Sequence, residues 1–127
     1  MISLEMAKKL KAAGLEWEPQ IGDMFYWHNG KDWGIDALTS EDVNNNLDET
    51  RDFIDEGAWI FAPCLDQLLA KISKTEWKWL LFGVGGIWLE RKNEAQEIIH
   101  DGPLEEGCLT ELTASALLWI YEGGAKV

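Results

Sequence analysis

The chain has little of what metal sites, disulfides and nucleic-acid surfaces are built from. Its 127 residues hold only two cysteines, Cys64 and Cys108, and two histidines, His28 and His100. The cysteines are far apart, no Cys-x-x-Cys occurs, and the histidines are isolated, so no zinc set can be assembled. Both cysteines are expected to be small buried hydrophobes rather than a disulfide. Basic residues are also scarce: 11 stand against 23 acids, a formal charge of −12. Phosphate affinity comes largely from Lys and Arg, so nucleic acid is excluded as a partner, and a charged partner should be basic. A large negative charge also serves solubility alone. No apolar run approaches the ~20 residues of a membrane span. The richest, Trp77 to Leu89, is stopped by Glu90 and Arg91. Met1 to Lys9 contains no apolar core of a signal peptide, so no export is expected and the cytoplasm is the default location.

A catalytic constellation is missing as well. Glu97, His100 and Asp101 are close in sequence, and Asp23 is five positions from His28, yet neither set includes a nucleophile with a base and an orienting third group. The serines Ser3, Ser40, Ser73 and Ser115 fall at helix caps or within helices. Gly83-Val84-Gly85-Gly86 has the look of a phosphate loop, but Trp88 stands where a third fingerprint glycine belongs and the loop joins two strands. Asp42, Asn44, Asn46 and Asp48 are spaced like calcium ligands. Leu47 occupies the position that needs glycine, however, and Phe53 the position of the bidentate glutamate. An enzyme is not expected, and no cofactor or metal is implied.

What the chain does have is tryptophan. Trp17, Trp27, Trp33, Trp59, Trp77, Trp79, Trp88 and Trp119 bring large apolar surfaces, each with one N–H that needs a partner. That is more than a single small core readily hides. With 46% hydrophobic residues, residues 1–127 are expected to form one domain.

Periodicity and punctuation place the elements. Ser3 caps a helix with the stripe Leu4, Met6, Ala7 and Leu10, and Gly14 stops it. Leu15 and Trp17 follow in extended chain. Asp23 to His28 reads as a strand, Asn29-Gly30 as a two-residue turn, and Lys31 to Leu38 as the returning strand. That turn sets Tyr26 opposite Trp33 and Met24 opposite Ile35, leaving Phe25 and Trp27 on the other face. Glu41 to Glu56 holds seven acids against one arginine and reads as a solvated loop, with a turn of helix near Glu49 to Ile54. Ala58 to Phe61 is a short strand or extended entry. Pro63 opens a helix with the stripe Leu65, Leu68, Leu69 and Ile72. A second hairpin runs from Trp77 to Phe82 and back from Ile87 to Lys92. Glu94 to His100 fits a third strand or a helical turn equally well. Thr110 caps a last helix through Tyr121.

The fold expected is α+β, an antiparallel sheet of two hairpins with four to six strands packed with three helices in the order αββ(β)αββ(β)α. Symmetric pairing of the second hairpin puts Leu80, Phe82, Ile87 and Leu89 on one face and Trp77, Trp79, Leu81 and Trp88 on the other. If both hairpins share a sheet, Phe25 and Trp27 extend that second face. Phe25, Trp27, Trp77, Trp79 and Trp88 are therefore the candidate protein-interaction residues. Helices covering both faces are the competing reading of the same pattern.

Three stretches together resemble a known group: Ser3 to Pro19 with Gly22-Asp23, Trp59 to Leu69, and Thr113 to Ile120. They are similar to small uncharacterised proteins encoded by phages and prophages of Gram-positive bacteria. The resemblance spans most of the chain but rests on caps and core stripes. It implies a cytoplasmic phage accessory protein and transfers no catalytic or binding residue. The function expected is non-enzymatic contact with a host or phage protein, or with a second copy, through an aromatic sheet face. The alternative is an acidic decoy that mimics DNA or occupies a basic groove on a host protein.

Overall fold

The computed structural model describes the backbone of residues 1–82, 86–91, 97–101 and 108–123, and the side chains of residues 1–77 and 109–123. Helix α1 (Leu4–Ala12) starts where Ser3 Oγ accepts the Met6 N–H at 3.1 Å. It ends at Gly14, whose φ of +109° lets the Leu15 N–H reach back to the Leu10 carbonyl at 2.9 Å. Strands β1 (Met24–His28) and β2 (Trp33–Ala37) form the first hairpin. Helices α2 (Ser40–Asn44) and α3 (Leu47–Asp55) follow, then β3 (Trp59–Phe61) and α4 (Leu65–Ser73). Strands β4 (Trp77–Phe82), β5 (Gly86–Arg91) and β6 (Glu97–Asp101) precede the last helix, α5 (Cys108–Tyr121).

The class is α+β, with a correction to the expected layout. The two hairpins do not share a sheet: β2-β1-β3 is one antiparallel sheet and β4-β5-β6 another. The third strand of the first sheet is β3, which crosses from beyond α3 to pair Trp59 with Trp27 and Phe61 with Phe25. Among the described residues five helices replace the three expected, because the acidic segment folds. Thr39 and Asp42 form a capping box that starts α2. One face of α3 then supplies Thr50, Phe53 and Ile54 to the first sheet and its surroundings, and the buried Thr50 hydroxyl donates to the Asp42 carbonyl at 3.0 Å. Of the residues 94–100, Glu97 onward form a strand, paired to β5.

Both hairpin registers differ from those expected. In the first, His28 pairs with Trp33, which leaves a four-residue connection rather than a two-residue turn. The cause is Asn29: its side-chain Oδ1 accepts the backbone N–H groups of both Lys31 and Asp32 at 2.9 Å, stabilising a wider turn. A shift of two residues conserves the faces. In the second hairpin Phe82 pairs with Gly86 and Leu80 with Trp88, a shift of one residue. A one-residue shift moves β5 to the opposite face relative to β4. The positions of Trp79 and Trp88 therefore alternate to different faces of the second sheet.

A single buried cluster joins the elements. Ile2, Ala7 and Leu10 meet Ile60, Leu68, Ile72, Trp77, Ala116 and Leu117, each 5% exposed or less. The start of α1 is tied to α5 by Glu111, which accepts the Ser3 backbone N–H at 2.9 Å and the Ser3 hydroxyl at 2.8 Å. Cys64 is exposed, not buried as expected, because it caps α4 rather than facing the core.

Candidate functional site

Of the five residues singled out for contact, the structure separates rather than unites them. Phe25 is 3% exposed and Trp77 is 1% exposed, so both are core side chains. Trp77 packs edge-on against Trp119 of α5, with centroids 5.1 Å apart. The long apolar α5 lies over the face of the second sheet that carries Trp77, since Trp77, Ala116 and Leu117 share one buried cluster. Trp79 occupies the same face by alternation, and Trp88 the other; the side chains of both lie outside the described residues, as does the glycine loop at residues 83–85. Only Trp27 remains as a described, half-buried candidate.

Trp27 lies on the outer face of the first sheet, away from α1. Its indole covers Gly34, directly opposite in the ladder, so closely that a Cβ at residue 34 would fall 2.6 Å from the ring. Beside it runs an aromatic row that composition alone did not order. Phe53 of α3 stacks on Trp59 at 4.9 Å, and Trp59 stacks on Phe25 at 4.4 Å. Trp17 closes the other end, lying parallel to Phe61 at 5.0 Å and against Phe25 at 5.8 Å. Burial grades along the row from Phe25 outward to Phe53, which is 41% exposed. Phe53 was missed in the sequence as a contact residue because it sits among acids. The stripe Thr50, Phe53 and Ile54 in an otherwise polar segment is the signal that marks it.

The surround of this row is negative. Asp48, Glu49, Asp52, Asp55 and Glu56 on and just beyond α3 are all exposed. Among the described residues none of them has an ion-pair partner; the basic residue of that helix, Arg51, reaches Glu18 at 3.9 Å instead. Asp36 is exposed on the same face of the sheet as Trp27.

The inner face is built differently. The Tyr26 hydroxyl donates to the Ile2 carbonyl at 2.7 Å, and burial, with a smaller contribution from Glu111, pushes its pKa above the usual tyrosine value. Lys8 Nζ sits 4.8 Å above the Trp33 ring. The contact fixes the outer helix face over the hairpin end.

A second feature is a cleft of about 320 Å³ between residues 16–23 and α4, with Trp17, Asp23, Gln67, Lys71 and Lys74 in its walls. Asp23 is 6% exposed. Its Oδ2 accepts the Trp17 indole N–H at 2.9 Å and the Gln20 backbone N–H at 3.0 Å, and its Oδ1 accepts from Gln67 Nε2 at 2.7 Å. Gln67 Oε1 in turn accepts the Cys64 N–H at 2.9 Å. A carboxylate has about four acceptor sites, and three are filled from within the fold. Asp23 thus braces the extended segment to α4 and holds Trp17 against Phe61. His28, once a possible neighbour of Asp23, instead accepts the Gly30 N–H at Nδ1, 3.2 Å away.

The residues spaced like calcium ligands belong to α2, α3 and the corner between them, not to a loop. Among the described residues no three His, Cys, Asp or Glu side chains converge as a metal set, and no helix is long and apolar enough to cross a membrane. No family model, curated protein or solved structure matches the chain.

Proposed function

We propose that the protein acts without catalysis, by binding another protein through the outer face of its first sheet. The observation that carries this is the aromatic row that ends in the open: Phe53 is 41% exposed at the end of a continuous stack, with half-buried Trp59 and Trp27 beside it. Large aromatic side chains held rigidly by neighbours contribute contact area at small entropic cost, which is what energetic centres of interfaces use. The partner's complementary surface is apolar at its centre and basic at its edge, matching the acids of α3 and Asp36. A role in a phage or prophage, acting on a host or phage protein in the cytoplasm, fits the resemblance of the sequence and is part of this proposal.

The test is capture from a Gram-positive host lysate with the wild type, Phe53→Ala and Trp27→Ala, each first shown to be folded by circular dichroism. A partner held by the wild type and lost by both variants supports the proposal. The acidic decoy is the second reading, favoured by the unpaired acids around α3. It predicts a partner indifferent to both substitutions but released by salt, since exposed charges are screened within ~10 Å at 0.1 M.

A further inference from the structure

Among the described residues the first sheet also has an open edge. Strand β2 ends the order β2-β1-β3, and its phase can be fixed from the bonds at its two ends. The Asn29 N–H donates to the Asp32 carbonyl at 3.2 Å, and the Leu38 N–H donates to the Asp23 carbonyl at 2.9 Å. Hydrogen-bonded and non-hydrogen-bonded pairs alternate in an antiparallel ladder. Phe25 with Asp36 and Trp27 with Gly34 are therefore the bonded pairs, and Trp33, Ile35 and Ala37 turn their N–H and C=O groups away from β1. The Ala37 N–H is taken up by the Asp36 carboxylate at 2.8 Å. Those of Trp33 and Ile35 point outward along the edge, and Ile35 is 55% exposed.

We infer that β2 is a strand-addition site that takes an extended peptide alternating apolar and basic side chains. This rests on the proposal that the first sheet is the contact surface, and it names the mode of contact. An added strand pairs with the outward groups of Trp33 and Ile35, so its side chains alternate between the two faces of the sheet. On one face they meet Trp33 and the exposed Ile35, which calls for an apolar residue. On the other they meet the Trp27 indole and Asp36, a ring face and a carboxylate, both of which favour a cation. Asp32 and Asp36 are exposed and, among the described residues, without an ion-pair partner, so the edge offers negative charge that an incoming cation neutralises. A second copy is the poorer occupant, because it brings another −12 to the same edge.

The experiment is calorimetric titration of the full chain with a short peptide alternating valine and lysine. Comparison peptides carry N-methyl groups on alternate amides, or the same residues in two blocks. Ile35→Pro is the matching variant of the protein: it removes an outward N–H and no ladder bond, so proline is tolerated there. The alternating peptide is expected to bind, with affinity about tenfold weaker on N-methylation or in Ile35→Pro, the loss of one or two net hydrogen bonds. Equal binding of all three peptides overturns the inference and reduces it to charge attraction. Where Ile35→Pro does not fold, the N-methyl comparison on the wild type decides alone. A wild type that self-associates through this edge in sedimentation, with Ile35→Pro monomeric, also overturns it. Loss of binding in Phe53→Ala with none in Ile35→Pro removes the edge and leaves the aromatic face standing; indifference to both removes the two together.

Discussion

Two three-stranded sheets, each begun by a tryptophan-bearing hairpin, place Trp77 and Trp27 in opposite surroundings. In the second sheet Trp77 is 1% exposed under α5, a helix whose sequence Leu109 to Tyr121 is apolar on most sides. In the first sheet the outer face is covered, among the described residues, only in part, by Trp17 at one end and by α3 at the other. Helix α3 carries four acids among its nine residues, so it lends one narrow stripe and leaves Phe53 exposed and Trp27 half-buried. Tryptophan content therefore does not tell core from surface. The apolar width of the helix that comes to lie on each face does.

The comparison is broken most severely at Trp77. Truncation of a buried aromatic residue costs about 3–5 kcal/mol through lost burial and the cavity left behind. Trp77→Ala is expected to lower the unfolding free energy measured in urea by that amount or to abolish cooperative unfolding. Trp27→Ala, half-buried at the outset, should cost less than Trp77→Ala on the burial scale. Equal losses in the two variants would place Trp27 in the core and remove the contrast between the sheets.

Asp23 sharpens it by loosening one end of the open face. Asp23→Ala leaves the Trp17 indole N–H, the Gln20 N–H and Gln67 Nε2 without their acceptor. A buried unsatisfied donor costs about 1–3 kcal/mol, and water entering the adjoining cleft can satisfy part of the set. A loss of about 2–3 kcal/mol is expected, with the Trp17 indole N–H resonance moved in proton NMR. A stable variant with that resonance in place would mean that stacking on Phe61 alone holds Trp17.

Much of this fold was legible because its signals are local. Ser3, Gly14 and Pro63 mark helix ends through capping and φ preference, and the stripe Leu65, Leu68, Leu69 and Ile72 fixes the buried side of α4. Three things lay outside those signals. The pairing of β3 with β1 depends on a partner more than thirty residues away, which no pattern within Ala58 to Phe61 encodes. The wide turn after His28 depends on the Asn29 side chain capturing two N–H groups, in place of the tighter turn that Asn-Gly usually signals. The one-residue register of the second hairpin reassigns every face of β5, so the candidate face of Trp77, Trp79 and Trp88 came apart on a single offset. Trp27, the described candidate that stayed, lies in the hairpin whose shift was even. Phe53 escaped notice because acidic neighbours made its segment read as loop.

The smallest expected effect isolates how Trp27 is held. Gly34 has ordinary negative φ or extended geometry, so its lack of a side chain matters sterically: a Cβ would lie 2.6 to 2.8 Å from three atoms of the indole. Gly34→Ala must displace that ring. Overpacking costs about 1–3 kcal/mol, while replacing glycine within a strand returns about 0.5–1 kcal/mol of backbone entropy. A net loss near 1 kcal/mol is expected, lowered further if the half-buried ring swings into solvent. The double variant separates the two terms. In Trp27→Ala the obstacle is gone, so adding Gly34→Ala should be neutral or slightly stabilising in urea denaturation. Should Gly34→Ala cost the same in both backgrounds, the ring is not seated on Gly34, and Trp27 loses the rigidity that makes it a contact residue.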